Sequence, residues 1–192
     1  MNDAMGYNSP SICVLFSGGI DSTACIHFYR EQGAEVSAVF IDYGQKAAKR
    51  ELISARRISH FFDVSLEKFT WTGKRLDKTG PILGRNAFFL MAALMEISPR
   101  TRIVSMGIHA GTEYVDCSAS FLDKMRGIID DYTGGMIQLG VPFIKWQKID
   151  IWNYCKNRDL PLELTYSCEL GCDQPCGRCQ SCRYLEALHA SA

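Results

Sequence analysis

Short apolar runs alternate with longer amphipathic stretches along most of this chain. The run 11–16 predicts a first strand, and 21–32 predicts a helix that Gly33 closes, since glycine readily takes the left-handed conformation that ends a helix. The apolar run 35–42 predicts a second strand. Residues 46–60 are charged but carry Leu52, Ile53, Ala55 and Ile58 at helical spacing, which predicts an amphipathic helix with those four on its inner face. A third strand is expected over 61–66, followed by a polar loop over 70–84. A helix over 86–97, a strand over 102–108, a helix over 120–132, a short strand over 136–139 and a helix over 148–158 complete the pattern. Strands alternating with helices imply right-handed crossovers and an α/β fold, with a parallel sheet covered by helices on both faces. Ligands on such sheets bind at the carboxyl ends of the strands.

Three turns fall on that edge: one beginning at Ser17, one at Asp42 and one at His109. The first reads Phe16-Ser17-Gly18-Gly19-Ile20-Asp21-Ser22-Thr23. A buried strand running through two glycines into a helix start presents backbone N–H groups, backed by the positive end of the helix dipole, to an anion. Ser17, Ser22 and Thr23 add hydroxyl donors, and Asp21 suits a ligand to phosphate-bound Mg²⁺ or a helix cap. The run lacks the lysine of a Walker A loop and the spacing of GxGxxG. It resembles the SGGxDS pyrophosphate loop of enzymes that cleave ATP between its α- and β-phosphates.

Bulk composition narrows the class. In 192 residues, 21 Lys and Arg balance 21 Asp and Glu, which argues against a general nucleic-acid or anionic-membrane surface. No apolar stretch reaches the length of a membrane span, and residues 1–10 are polar with no signal-peptide core, so a soluble, cytoplasmic protein is expected. Nine cysteines in such a setting point to metal or thiol chemistry rather than a disulfide framework. Two units are expected: 1–160 as the nucleotide-binding α/β domain and 161–192 as a metal-binding segment.

The cysteines cluster in that loop-rich tail. Cys176, Cys179 and Cys182 form a tight knuckle, and either Cys168 or Cys172 completes a tetrahedral four-thiolate set. Zn²⁺ favours such a set, and a closed site of this kind holds structure rather than opening a position for catalysis. An iron–sulfur cluster is the rival. Cys13 and Cys25 read as small core residues, and His27, His60 and His189 as helix-surface or terminal groups. Trp71 and Trp146 are either core or stacking surfaces for a purine-like ring.

Together these pieces resemble the 7-cyano-7-deazaguanine synthase (QueC) family of the PP-loop ATP pyrophosphatase superfamily. The resemblance rests on the Phe16–Thr23 run, Asp42-Tyr43-Gly44-Gln45, Gly84-Arg85-Asn86, Asp116-Cys117, Thr165-Tyr166-Ser167-Cys168 and Cys176-Gly177-Arg178-Cys179 through Cys182-Arg183. It covers nearly the whole chain and implies a Rossmann-like sheet of the PP-loop type. It implies ATP, Mg²⁺ and Zn²⁺ as cofactors and Cys168, Cys176, Cys179 and Cys182 as zinc ligands, with Cys172 the spare thiol. The implied reaction converts 7-carboxy-7-deazaguanine and ammonia to the 7-cyano compound, with no nucleic-acid or membrane partner and a homodimer as the assembly.

On the same resemblance Ser17, Gly18, Gly19, Asp21, Ser22 and Thr23 hold pyrophosphate and metal, with Phe16 and Ile20 flanking them. Asp42, Tyr43, Gly44 and Gln45 sit beside the nucleotide, and Arg85 and Asn86 lie across the sheet edge. Lys148 is a candidate phosphate contact and Lys46 a weaker one. His109, Asp116 and Cys117 are candidates for the substrate side. The chain is shorter than typical members, has Leu83 where the family has proline, and has Ser118 where an arginine follows the Asp-Cys pair. A serine cannot pair bidentately with a carboxylate. The first alternative is therefore a QueC-like enzyme that transfers its activated acid to another acceptor such as a protein. A PP-loop tRNA thiolation enzyme, which would share the pyrophosphate loop, and a non-catalytic zinc-ribbon interaction subunit are the others.

Overall fold

The computed structural model describes residues 10–73, 82–111 and 114–190. Most of the polar loop expected over 70–84, together with Thr112, Glu113 and the polar amino terminus, lies outside the described residues. Five strands form one parallel sheet in the order β3-β2-β1-β4-β5: β1 Ser11–Leu15, β2 Glu35–Asp42, β3 Ser65–Thr70, β4 Thr101–Ser105 and β5 Gln138–Gly140. The helices are α1 Ile20–Glu31, α2 Ala48–Phe61, α3 Arg85–Glu96, α4 Ala119–Thr133, α5 Lys148–Asn157 and α6 Gln180–Ala190.

Alternate residues of the central strands feed two cores. Ile12, Val14, Val36, Ala38 and Phe40 meet α1, α2 and α5 on one face. Cys13, Leu15, Val39, Ile41 and Val104 meet α3 and α4 on the other, where Leu90, Ala93, Leu122 and Ile129 are buried. Burial pushes the Cys13 thiol up to about 11 and that of Cys25 to about 12, as suits inert core thiols. Because β1 has β2 on one side and β4 on the other, the crossovers part there, and a crevice opens above their carboxyl ends.

α1 is held by packing. It has no side-chain N-cap, a contact worth about 1 kcal/mol, yet Ile20, Ala24, Cys25, Ile26 and Tyr29 are buried. Each large apolar side chain among them is worth about 1.5–3 kcal/mol on burial. The helix start is therefore left open toward the crevice at little cost to the fold.

Three elements differ from the sequence pattern. The strand expected over 61–66 begins only at Ser65. Ala55, Ile58 and Phe62 continue one helical stripe, and Asp63 then takes φ 49° and turns the chain, with Val64 N–H donating to Ser59 O at 2.9 Å. Aspartate tolerates that left-handed geometry. The strand expected over 102–108 ends at Ser105; Met106 N–H still donates to Gly140 O of β5 at 3.0 Å, and the chain then rises through Gly107 along the crevice wall. The tail holds a helix, α6, where a loop-rich segment was expected: Cys182, Leu185 and Leu188 form its inner stripe, and Leu188 joins the core. Of the inner face expected for α2, Ala55 and Ile58 are buried while Leu52 and Ile53 are half-buried; Ser54 and Ser59 are buried beside them.

Two close backbone approaches fix the crevice. Gly18 has φ 76°, and a Cβ there would lie 2.6 Å from Ala55 N and 2.8 Å from Glu51 O. Gly107 lies against Asp21, where a Cβ would fall 2.8 Å from the carbonyl carbon. Gly18→Ala is therefore expected to cost about 1–3 kcal/mol, seen as a Tm about 2–4 °C lower per kcal/mol in calorimetry. An unchanged Tm would show that α2 does not clamp this turn.

Candidate active site

The crevice is a cleft of about 1030 Å³, at the upper end of the about 300–1,000 Å³ usual for small-molecule sites. Its first wall is the turn between β1 and α1. Phe16, Ser17, Gly19, Ile20, Asp21 and Ser22 line it. Ser17 Oγ lies 3.3 Å from Ser22 Oγ and accepts from Gly19 N–H at 3.3 Å, while Ser22 Oγ donates to Gly19 O at 3.1 Å. Gly18 and Thr23 shape the turn from behind. Thr23 is fully buried and its hydroxyl donates to Gly19 O at 2.8 Å. The Gly18 carbonyl accepts from Tyr166 N–H at 3.0 Å and faces the Ser54 hydroxyl at 2.8 Å; that hydroxyl also lies 2.6 Å from Leu164 O, and its one proton serves either carbonyl.

Lys148, at the start of α5, places its ammonium 2.5 and 2.6 Å from the two oxygens of Asp21. Both side chains are about a quarter exposed, at 26% and 29%, so the pair faces the cleft from a half-buried position. Gln147 and Asp150 form a reciprocal capping box that sets the helix start beneath Lys148. His109 lines the same end; its Nδ1 lies 2.5 Å from Ala110 O, and because a carbonyl only accepts, Nδ1 carries the proton.

The second wall combines Tyr43, Gln45, Lys46, Glu51, Arg85, Asn86, Phe89 and Cys117. Gln45 is fixed in place: its Oε1 accepts from Tyr43 N–H at 2.9 Å, and its Nε2 donates to Glu51 Oε2 at 2.8 Å and to Ile41 O at 3.3 Å. Burial raises the Glu51 carboxyl above the usual carboxylate range, with the Gln45 bond and the Arg85 guanidinium opposing and Asp42 reinforcing. Burial likewise raises the Tyr43 phenol, opposed by Arg85. Asp42 and Gly44 stand behind this wall: Asp42 Oδ1 accepts from Gly44 N–H at 3.2 Å, and Oδ2 pairs with Lys68 of β3 at 3.2 Å. Asp116 is also outside the lining. It accepts from Asn86 N–H at 3.2 Å, and its carbonyl accepts from Asn86 Nδ2 at 2.9 Å, so it sets the start of α3.

The third wall comes from the tail, which sequence reasoning assigned only to metal. Tyr166, Ser167, Glu169, Gln180, Ser181, Tyr184, Leu185 and Leu188 line the cleft. The signal was present: Gln180, Tyr184 and Leu188 recur every fourth residue and share one helix face. Glu169 Oε1 accepts from Ser181 N–H at 3.0 Å and Ser181 Oγ at 2.9 Å, capping α6. Trp146, read as core or stacking surface, packs against Phe143 and Tyr154 in the core. Ser118, which replaces the expected arginine, caps α4 by accepting from Phe121 N–H at 3.2 Å.

Behind this wall the ligand atoms of Cys168, Cys176, Cys179 and Cys182 lie within 4.8 Å of one another. Four sulfurs about 2.3 Å from one metal would sit about 3.8 Å apart, and Cys176 Sγ is 3.9 Å from Cys182 Sγ. Cys179 N–H donates to Cys176 Sγ at 3.3 Å and Cys182 N–H to Cys179 Sγ at 3.4 Å. Burial opposes charge on Cys168, but donation from the Cys176 and Leu170 backbone outweighs it and brings the thiol down to about 6. The donor set fits a thiolate-bound metal ion, and Cys172 stands outside it.

The chain matches the family model described as "Queuosine biosynthesis protein QueC" over residues 11–80 and 73–190. It is 28% identical to a 7-cyano-7-deazaguanine synthase of Prochlorococcus marinus strain AS9601, across 96% of each chain. It is 29% identical to one from Methanoculleus marisnigri, across 91% of this chain and 90% of that one. Among solved structures it is similar to U34-tRNA thiolase NcsA from Methanococcus maripaludis, with a TM-score of 0.59 at 13% identity, over 95% of this chain and 65% of that one. A predicted tRNA methyltransferase subunit from Methanocaldococcus jannaschii aligns with a TM-score of 0.53 at 16% identity, over 77% of this chain and 76% of that one. At those identities the two structures speak for the fold alone. A glycine-serine turn at the switch point of a parallel sheet, four converging cysteines and a family match that runs from β1 through α6 place this chain in the QueC family.

Proposed function

We propose that this chain is a 7-cyano-7-deazaguanine synthase, which converts 7-carboxy-7-deazaguanine, ATP and ammonia into the nitrile. The observation that carries the reading is the Asp21–Lys148 pair beside the uncapped start of α1, inside a cleft large enough for a nucleotide and a fused-ring acid, in a member of this family. A carboxylate is a poor electrophile because its oxygen does not leave. Attack of that oxygen on the α-phosphorus of ATP expels pyrophosphate and gives an acyl adenylate. Ammonia displaces AMP to form the amide, and adenylation of the amide oxygen by a second ATP allows AMP and a proton to leave as the nitrile forms.

In this reading Ser17, Gly18, Gly19, Ser22 and Thr23 shape the pyrophosphate cradle, and the α1 amide groups meet charge that grows on phosphate oxygen. Lys148 moves from Asp21 to the phosphates when the triphosphate enters. Asp21 is the residue that would hold Mg²⁺, and it suits the task because its carboxylate already faces a cation. The metal supplies charge neutralisation on the phosphates. Phe16 and Ile20 border the nucleotide, with the Asp42–Gln45 turn beside it; Arg85, Asn86, His109 and Cys117 face the acid, and Asp116 holds Asn86 in place.

The four cysteines of the tail are proposed to hold Zn²⁺ as a structural ion, because four converging thiolates suit it. Residues 1–160 act as the nucleotide-binding unit and 161–192 as the metal-binding segment. The working assembly is proposed to be a homodimer in the cytoplasm. Exposed Met95, Val115, Tyr132 and Met136 offer apolar surface for it, and no helix among the described residues is long and apolar enough to cross a membrane.

Mass spectrometry of reactions with ATP, Mg²⁺ and 7-carboxy-7-deazaguanine, with and without ammonium, should show the cyano product only when ammonium is present. An adenylate that accumulates with ammonium present would point to an acceptor other than ammonia. Asp21→Ala should abolish ATP–pyrophosphate exchange without lowering Tm, and Lys148→Met should lower kcat about 100- to 1,000-fold, the scale of one lost charge-stabilising donor. Full exchange in Asp21→Ala would remove that residue from the reaction. Elemental analysis should find zinc and no visible absorbance, and chelation should lower Tm; iron with a visible band would make the site an iron–sulfur centre.

A further inference from the structure

A carboxylate beside a triphosphate site is electrostatically unfavourable, yet Glu51 lines this cleft. Gln45 fixes it from one side, by a 2.8 Å bond to Oε2, with the Gln45 amide itself held by Tyr43 N–H and Ile41 O. That bond orients the Glu51 carboxyl on the cleft wall. Arg85 lines the same wall with its Nε buried and without a hydrogen-bond partner. Its guanidinium carbon is 6.0 Å from the centre of the Phe89 ring, and Phe89 packs on Tyr43 with ring centres 5.0 Å apart. The wall therefore offers an oriented acceptor, an unspent donor and an aromatic floor. A buried polar atom left unpaired is costly, and the open Arg85 Nε beside an oriented carboxyl calls for a ligand with matching groups.

The geometry points to Glu51 and Arg85 as the site that recognises the pyrimidine edge of the deazaguanine acid: Glu51 accepts its N1–H and 2-amino protons, and Arg85 donates to its 6-oxo group. This assignment rests on the substrate proposed above. A guanine-type edge places one acceptor beside two donors, which is the complement of a guanidinium beside a carboxylate. The acid group projects from the five-membered ring, away from N1 and the 2-amino group. A ring anchored at Glu51 thus leaves its carboxylate directed into the cleft, and Gln45 acts as the positioning residue that keeps the Glu51 carboxyl in register.

The test is calorimetric binding of 7-carboxy-7-deazaguanine and of its analogue lacking the 2-amino group, to wild type, Glu51→Gln and Arg85→Met, with the KM for ATP measured alongside. Wild type should bind the analogue about tenfold more weakly or worse, and Glu51→Gln should lose about 10- to 100-fold for the full acid, the scale of one or two charge-assisted hydrogen bonds. Glu51→Gln should no longer distinguish the two ligands, while its KM for ATP stays within about threefold, near the error of such comparisons. Arg85→Met, at the half-buried start of α3, should weaken both ligands equally. Wild-type affinity for the acid in Glu51→Gln, or a loss that falls on ATP instead, overturns the assignment and leaves the proposed reaction standing. Failure of wild type itself to bind the acid removes the proposed substrate and this assignment with it.

Discussion

The whole site depends on how the chain behind Gly18 is held. Its positive φ lets the turn fold under the start of α1, and its missing side chain admits the backbone of α2 at a distance no Cβ would tolerate. Its carbonyl accepts from Tyr166 N–H and faces the Ser54 hydroxyl, whose one proton is shared with Leu164 O. One backbone oxygen thus links the β1–α1 turn, α2 and the tail. Because this support comes from behind, the amide groups at the front stay available, and α1 can forgo a cap that packing makes unnecessary.

Charge in the cleft is arranged in opposed pairs. Asp21 faces Lys148 beside the glycine turn, and Glu51 shares the second wall with Arg85. A chain of zero net charge can therefore place cations in the cleft without a basic surface. The tail extends this arrangement. Cys168 follows directly on Tyr166 and Ser167, and Cys182 sits on α6 between Ser181 and Leu185, all four of which line the cleft. A metal on the four thiols would clamp two stretches of that wall to each other, so the cysteines bear on the cleft's shape without entering it.

Local signals made much of this legible. The glycine turn, the β2 strand, the α3 start at Arg85 and the cysteine spacing each depend on residues close in sequence, and each stands where the pattern placed it. The errors share a cause. Phe61 and Phe62 read as a strand because an apolar pair has no period of its own, and only the core contact of Phe62 with the stripe of Ile58 makes them helical. Helix α6 was masked by ligand cysteines that look like loop, although Cys182, Leu185 and Leu188 already carried helical spacing. Asp42, Gly44 and Asp116 belong to the recognised motifs, yet their polar groups are spent on turns and on Asn86 rather than on the cleft.

By itself the sequence determined the order of elements from β1 to α5, the glycine turn after β1 and the knuckle of Cys176, Cys179 and Cys182, because turn geometry, strand propensity and ligand spacing act over a few residues. Spacing left Cys168 and Cys172 both open as the fourth thiol. The tertiary structure alone decided that Lys148 meets Asp21 across 127 positions of chain, that Glu51 and Arg85 share a wall, and that the tail closes the cleft. Those outcomes follow from the strand order β3-β2-β1-β4-β5 and from which helix covers which face. Sheet order is a property of packing between distant segments, and no local run of residues encodes it.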